Sequence, residues 1–345
     1  MLSPDAVAYD LPQVAIVTPV YNGARYLQAA MESVQAQTYG NLIHLILDNA
    51  STDATAAIAA QYQGRTVETI YHRNEELLPL TDNWDKAFSL VPRSAIYAKL
   101  LCADDLMHPT CIEEFVDLAE ANPRVETVSC HDVHDDKVRR ANIKEGQTTL
   151  DGRRAAGKIL DRSIGWLPFQ HLFVRMHPEF FDEPFFGTGE YGADPYAVAR
   201  SALRGQFGYI HKPLVYTRWH SESASNSLAR DGRTPLFALQ INMMLVTYHK
   251  MLLVFGRSVW SGPEYARRER FSFNHLVRTF LRWRMKQFDQ AADEIGDYIR
   301  STGPGFGLWS CIHAILGLPS YMAWKRTWRT KIGPTLGEKT FIAGA

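Results

Sequence analysis

The chain has 345 residues, 46% of them hydrophobic and 21% charged, enough to bury a core in one large domain or two ordinary ones. Lysine plus arginine and aspartate plus glutamate each number 37, a zero balance that argues against a nucleic-acid binder, whose phosphate contacts need excess cations. The 23 glycines and 17 prolines exclude collagen-like and disordered classes, and four cysteines without zinc spacing read as reduced thiols of a cytoplasmic protein.

The first thirteen residues carry Asp5 and Asp10 and no apolar run, so no secretory leader is expected. Val14–Thr18 is a β-rich apolar run ended by Pro19, as suits a strand buried on both faces. Asn22-Gly23 marks a turn, and Tyr26, Leu27, Ala30, Met31 and Val34 recur at helical spacing. Leu42–Leu47 is the next strand, with Asp48 at its carboxyl end and a capped, Ala-rich helix after Asp53. Strands are predicted over 67–71, 95–101 and 125–130, and helices over 81–90 and 110–121. Strands alternating with helices imply βαβ units and a mainly parallel sheet, whose ligands sit beyond the carboxyl ends of its strands. Asp48 and Asp104 both fall at such ends.

Residues 131–144 read as a polar loop, and 180–192 as an aromatic, glycine-rich loop near a ligand. Residues 209–219 read as a strand with Pro213 inside, and so as an edge or entry segment. From Leu236 onward the pattern is helical. No run of twenty apolar residues occurs; Phe306–Ala323 comes nearest and is broken by Ser310, His313, Pro319 and Ser320.

Four ordered blocks carry a resemblance. They are Val14–Gly23, Leu45–Asp53 (Leu-Ile-Leu-Asp-Asn-Ala-Ser-Thr-Asp), Lys99–Pro109 with its Cys102-Ala-Asp-Asp105, and Gly192-Ala-Asp-Pro-Tyr196 together with Lys212–His220. Together they resemble family 2 glycosyltransferases over residues 12–225. The resemblance implies a GT-A fold, a Rossmann-like three-layer α/β sandwich with a mainly parallel sheet over 1–225, followed by a helical region over 226–345. It also implies an inverting transfer from a nucleotide-diphosphate sugar, UDP-linked, to a hydroxyl acceptor in polysaccharide or glycoconjugate synthesis.

By the same resemblance Asp48 accepts a hydrogen bond from the base, though a helix-capping role is open to it. Thr18, Pro19, Tyr21, Asn22 and Ala103 line the nucleotide pocket, and Asn83, Lys99 and Arg73 are further donor contacts. Asp104 takes the place of the metal-binding aspartate, for Mg2+ or Mn2+ bridging the two phosphates. Cys102 stands where the family has its first acid, a departure. Asp105 suits a helix cap. Asp194 is the expected general base, able to take the acceptor's proton as it attacks. Its neighbour Ala193 replaces a usual acid, Pro195 would also suit an N-cap at Asp194, and Glu190 is the fallback base. Arg218 and His220 close the set at the pyrophosphate and metal, respectively.

Weaker signals accompany these. Cys130–Asp136 matches no zinc pattern and reads as a strand end running into a turn. Gly187-Thr-Gly189 lacks the Lys-Ser of a phosphate loop. Trp166, Phe169, Phe185, Phe186 and Tyr191 could stack on sugars or fill the core. Residues 306–331 join an apolar, small-residue segment to Trp324, Trp328 and four cations, a composition that suits peripheral contact with the inner face of a membrane, a second subunit, or packing on the domain. The expected partners are therefore a nucleotide sugar and a saccharide or lipid-linked saccharide. A nucleotidyltransferase and a non-catalytic sugar-binding module are the rival readings.

Overall fold

A computed structural model describes residues 11–161, 163–186, 193–220, 251–270, 272, 331–335, 337, 338 and 341. The chain divides into two compact units: 1–159 with 164–219 and 330–345, and 160–163 with 220–329.

The first unit begins with the predicted alternation. β1 (Val14–Val20), α1 (Leu27–Gln35), β2 (Leu42–Asp48), α2 (Thr55–Ala60), β3 (Glu68–Arg73), α3 (Leu80–Ser89) and β4 (Tyr97–Leu100) follow one another. The four strands form a parallel array in the order β4-β1-β2-β3, with Val14 opposite both Leu42 and Tyr97 and Asp48 opposite Arg73. Every residue of β1 and β2 is buried, the reason these runs are mainly apolar rather than alternating, with Thr18, His44 and Asp48 the polar residues among them. α1 buries Leu27, Ala30, Met31 and Val34, the predicted helical stripe.

The remaining elements of this unit are β5 (Leu106–Met107), α4 (Cys111–Ala121), β6 (Val125–His134), β7 (Lys137–Arg140), β8 (Thr149–Asp151), α5 (Gly152–Leu160), β9 (Phe173–Arg175), α6 (Glu179–Asp182), α7 (Ala193–Ala202), β10 (Gln206–Thr217) and β11 (Lys331–Thr335). β9 lies between β4 and β6, antiparallel to both. The core gathers where α4 packs on β6: Phe173 stacks on Tyr97 with centroids 4.9 Å apart, and Phe115 meets it edge-on at 5.3 Å.

Four expectations are corrected here. The loop expected over 131–144 is a hairpin: β6 continues to His134 and turns into β7 through Asp135 and Asp136. Their φ values of 50° and 59° are those of a two-residue primed turn, which aspartate tolerates. β10 is not an edge strand, since it pairs with β5, β6 and β8; Pro213 is accommodated at a register shift where the ladder skips a bond. In the loop expected over 180–192, residues through Asp182 belong to α6, and Phe185 and Phe186 are buried against Phe88, with centroids 5.2 and 4.9 Å away, which is the core role left open for them; residues 187–192 lie outside the described residues. Finally, residues 331–335 of the region expected to be helical add an antiparallel strand beside β7.

In the second unit residues 251–259 and 262–270 are helical. Gly256 lies against Tyr265, where a Cβ would come within 2.7 Å of the ring, and Arg268 bonds both Glu264 and Asp161 at 2.6 Å. Among the described residues no helix is long and apolar enough to cross a membrane.

Candidate active site

The loops that leave β1 and β2 are stitched together. The Asn22 and Gly23 amides donate to Ser51 Oγ and Thr55 Oγ1 at 2.8 and 2.9 Å, the Ala24 amide donates to Asp53 Oδ2 at 2.9 Å, and the Thr52 amide returns a bond to Asn22 Oδ1 at 2.8 Å. Asn22 and Ala50 take positive φ, 49° and 59°, which lets both loops turn sharply at the sheet edge. Tyr21 projects from this rim half-exposed, while Pro19 stays in the buried ladder opposite Leu47.

Asp48 ends β2 with its side chain fully buried. Its Oδ1 accepts the Ser51 amide at 2.8 Å, and its Oδ2 accepts the Tyr71 hydroxyl and Arg73 Nη1, each at 2.6 Å. Burial pushes the carboxyl up, but the hydrogen bonds from Ser51 and Tyr71 and the Arg73 charge outweigh it and hold the group below the usual carboxylate range. Next to it, Asn74 Nδ2 bridges Asn49 Oδ1 and Asn83 Oδ1, both at 2.8 Å, so Asn83 is part of a buried amide network.

Two of the expected nucleotide contacts point inward. Thr18 Oγ1 is 2.9 Å from His44 Nε2 and fully buried. Lys99, also fully buried, donates from Nζ to the carbonyls of Leu100 at 2.8 Å and His171 at 2.9 Å, and burial pulls its pKa down. Its ammonium therefore fastens the 3-10 turn Phe169–His171 to β4.

Beyond β4 the chain runs through Cys102, Ala103, Asp104 and Asp105, and half-buried Ala103 packs against the core around Val20. The Cys102, Asp104 and Asp105 ligand atoms lie within 4.8 Å of one another. Asp105 is buried; its Oδ1 accepts the Arg218 amide at 2.9 Å and its Oδ2 lies 3.1 Å from His171 Nε2. Burial first and the Asp104 charge second raise the Asp105 carboxyl well above the ordinary range, while burial pulls His171 well below its own. Arg218 Nη1 donates to the Asp104 carbonyl at 2.8 Å, and its other edge meets Glu338.

Asp194 occupies the first turn of α7, where the helix dipole favours a carboxylate, yet burial pushes its pKa up to about 6. The Cys102 thiol is raised well above its ordinary value by burial and then by the charges of Asp105, Asp104 and Asp194, so Asp194 lies within electrostatic reach of that cluster. α7 also packs on the Phe169–His171 turn. The structure thus brings Asp104, Asp105, Arg218 and Asp194 together, and sets Asp48 on the same sheet edge two strands away. His220 belongs to the second unit. Glu190, Tyr191, Gly187–Gly189 and residues 306–330 lie outside the described residues.

The donors decide how a divalent cation would fit. Adjacent carboxylates at Asp104 and Asp105 are hard oxygen ligands and repel each other without a counter-charge, as a Mg2+ or Mn2+ site requires. Cys102, held protonated, offers no thiolate, so Asp104 is the principal ligand available.

Sequence reasoning did not find His171, Gln170 or Glu338. Gln170 accepts the Cys102 thiol through its carbonyl at 3.9 Å and donates to Thr217 Oγ1 at 2.8 Å. No spacing in the chain marks these residues. Tyr71 was findable, because it and Arg73 alternate on one strand face beside Asp48.

Residues 15–174 match the model of Glycosyl transferase family 2. An uncharacterized glycosyltransferase of Rickettsia typhi is 32% identical over 107 residues, which cover 31% of this chain and 32% of that one. The chain therefore spans about a third of the length of this curated relative. The putative glycosyltransferase EpsH of Bacillus subtilis is 23% identical over 267 residues, 71% of this chain and 74% of that one. Among solved structures, S. aureus TarS in complex with UDP-GlcNAc matches with a TM-score of 0.59 at 11% identity, over 84% of this chain and 82% of that one. The mannosyltransferase PcManGT from Pyrobaculum calidifontis, in complex with GDP-Man and Mn2+, matches with a TM-score of 0.52 at 16% identity, over 93% and 85%. At such identities the likeness is one of fold, the GT-A architecture.

Proposed function

From the match of residues 15–174 to the glycosyltransferase family 2 model, we propose that the chain moves a sugar from a nucleoside-diphosphate donor, UDP-linked, to a hydroxyl acceptor with inversion at the anomeric carbon. The observation that carries this reading is Asp194. A carboxyl pushed up to about 6 lies within reach of the Cys102–Asp105 cluster, poised to accept a proton near neutral pH. Asp194 takes the acceptor hydroxyl's proton as the oxygen attacks the face opposite the diphosphate. Arg218, paired to the Asp104 carbonyl, keeps the acidic loop in register beside the donor. Asp48, with Arg73 and Tyr71 around it, anchors the floor of the base pocket, and Tyr21 offers the exposed ring at its rim. Asp104 would hold Mg2+ or Mn2+, which when bound draws negative charge off the departing diphosphate. The acceptor is a saccharide, carried on a lipid where the basic, Trp-rich residues 306–331 meet a membrane surface.

The test is calorimetry of the full chain with UDP-GlcNAc and GDP-mannose, with and without MnCl2, alongside release of the nucleotide diphosphate into water. Asp194→Asn should bind the donor as the wild type does and lose turnover. Failure to bind any nucleotide sugar, or near-native turnover in Asp194→Asn, overturns the reading; binding with no turnover in the wild type identifies a non-catalytic module.

A further inference from the structure

We propose that Glu338 is a positioning residue for the Asp104–Asp105 loop, acting through Arg218. Its structural part stands on contacts alone, and its effect on donor affinity rests on the function proposed above.

Arg218 is the bracket of that loop. Its amide donates to Asp105 Oδ1 at 2.9 Å and its Nη1 to the Asp104 carbonyl at 2.8 Å, with the guanidinium carbon 5.4 Å from the Tyr26 ring centroid. The opposite edge of the guanidinium is taken by Glu338: Nε donates to Oε2 at 3.2 Å and Nη2 donates to Oε1. The Arg218 side chain is only 12% exposed. A cation so buried needs a counter-ion, and a bidentate carboxylate fixes its orientation as well as its charge. Glu338 arrives from 120 residues away in sequence. Two features deliver it. β11 pairs with β7 just before it, and Phe341 just after it is buried beside Leu106, Val133, Val138 and Tyr216. The strand 331–335 and the buried Phe341 thus flank Glu338, the one carboxylate of the sequence 331–341, which meets the arginine that grips the acidic loop.

Nucleotide affinity separates this role from its opposite. A carboxylate on an arginine fork also resembles a phosphate, so a Glu338 that merely competed with the donor would weaken binding. The two cases differ in sign. Hydrogen-exchange mass spectrometry on the ligand-free full chain reads the first consequence. Peptides spanning 102–107 should exchange about tenfold faster in Glu338→Ala and in Arg218→Ala, with little further change in the double variant, while Glu338→Asp retains most of the protection. Glu338→Ala should also lower the melting temperature, because it leaves the Arg218 charge shielded without its counter-ion, while exchange in β1, β2 and β3 stays close to wild type. In calorimetry, UDP-GlcNAc or GDP-mannose, whichever the wild type binds, should bind Glu338→Ala about tenfold more weakly. Unchanged exchange at 102–107, effects of the two variants that simply add, or tighter nucleotide binding in Glu338→Ala each overturn the proposal. Absence of nucleotide binding in the wild type would sink the functional reading and leave the exchange result to decide this one.

Discussion

Arg73 closes over Asp48, its Nη1 2.6 Å from Oδ2, with the carboxylate fully buried and the arginine side chain 45% exposed. That asymmetry ranks the contributions. A half-exposed guanidinium is screened by water, whereas the Tyr71 hydroxyl's hydrogen bond to the buried carboxylate contributes about 1.5–3 kcal/mol. Tyr71→Phe should therefore cost more stability at pH 7 than Arg73→Ala in urea denaturation. The Asp48 carboxyl is held below its unfolded value, so its contribution is present above the unfolded pKa and is lost as pH falls through the folded one. The Tyr71→Phe deficit should accordingly shrink in acid. A larger cost for Arg73→Ala would show that the ion pair, not the hydroxyl, holds the carboxylate.

Asp194 behaves in the reverse sense. Its pKa is raised from 3.8 to about 6, so the folded state is favoured below the unfolded value and loses that advantage as pH rises through 6. Above pH 6 the buried charge costs at most about 3 kcal/mol, at roughly 1.4 kcal/mol per pKa unit. Asp194→Asn should raise the melting temperature at pH 8 and leave it unchanged at pH 3.5, while donor turnover in the wild type rises along an acid limb centred near pH 6. A turnover profile flat between pH 5 and 7 would remove Asp194 from the proton path.

The parts of this architecture that were legible in the sequence are those governed by local pattern. The apolar runs of β1 and β2 and the stripe Leu27, Ala30, Met31, Val34 announce buried strands and an amphipathic helix, and the acids at Asp48 and Asp104 mark the strand ends. What was not legible depends on distant pairing. Pro213 reads as an edge marker until β6, β5 and β8 are seen around it, since a bulge that absorbs a missing amide has no local signature. Lys99 reads as a further donor contact in the sequence, yet its stem is sealed in the sheet and its ammonium satisfied by two carbonyls. Glu338 and Arg218 lie so far apart in sequence that no spacing could join them.

The hairpin β6–β7 carries a second ion pair of opposite character. Arg139 Nε and Nη2 reach Asp132 Oδ1 and Oδ2 at 3.0 and 2.8 Å, and here both partners are shielded, Asp132 completely and Arg139 to 11% exposure. The guanidinium carbon also lies 3.5 Å from the Trp166 ring centroid. Removing Arg139 leaves the Asp132 charge, among the described residues, with the Thr217 hydroxyl 3.1 Å from Oδ2 to support it. Arg139→Ala should cost about 3–5 kcal/mol, more than Arg73→Ala, whose guanidinium is screened by water. Equilibrium denaturation followed by tryptophan fluorescence reads both the loss and the release of Trp166. A cost below about 1 kcal/mol would mean that water enters the hairpin and solvates Asp132.

Cys102 is one of two positions, with Ala193, at which the chain departs from the acid pattern of the family it resembles, and its replacement tests how the cluster meets a cation. The thiol is raised well above its ordinary value, by burial and by the three neighbouring aspartates, and stays protonated. Cys102→Asp places another carboxylate within 4.8 Å of the Asp104 and Asp105 ligand atoms. Without metal, like-charge repulsion in a partly buried site must lower the stability of the variant. With metal the same charge becomes a ligand, and the cation stabilises the fold in proportion to the logarithm of its saturation. The rise in melting temperature on replacing EDTA by MnCl2 should therefore be larger in Cys102→Asp than in the wild type, and should vanish from both when Asp104→Asn is added. Because this reads binding without turnover, it is independent of which sugar is transferred. An equal rise in wild type and Cys102→Asp would place the residue 102 side chain outside the cation's coordination sphere, leaving Asp104 to hold the ion without it.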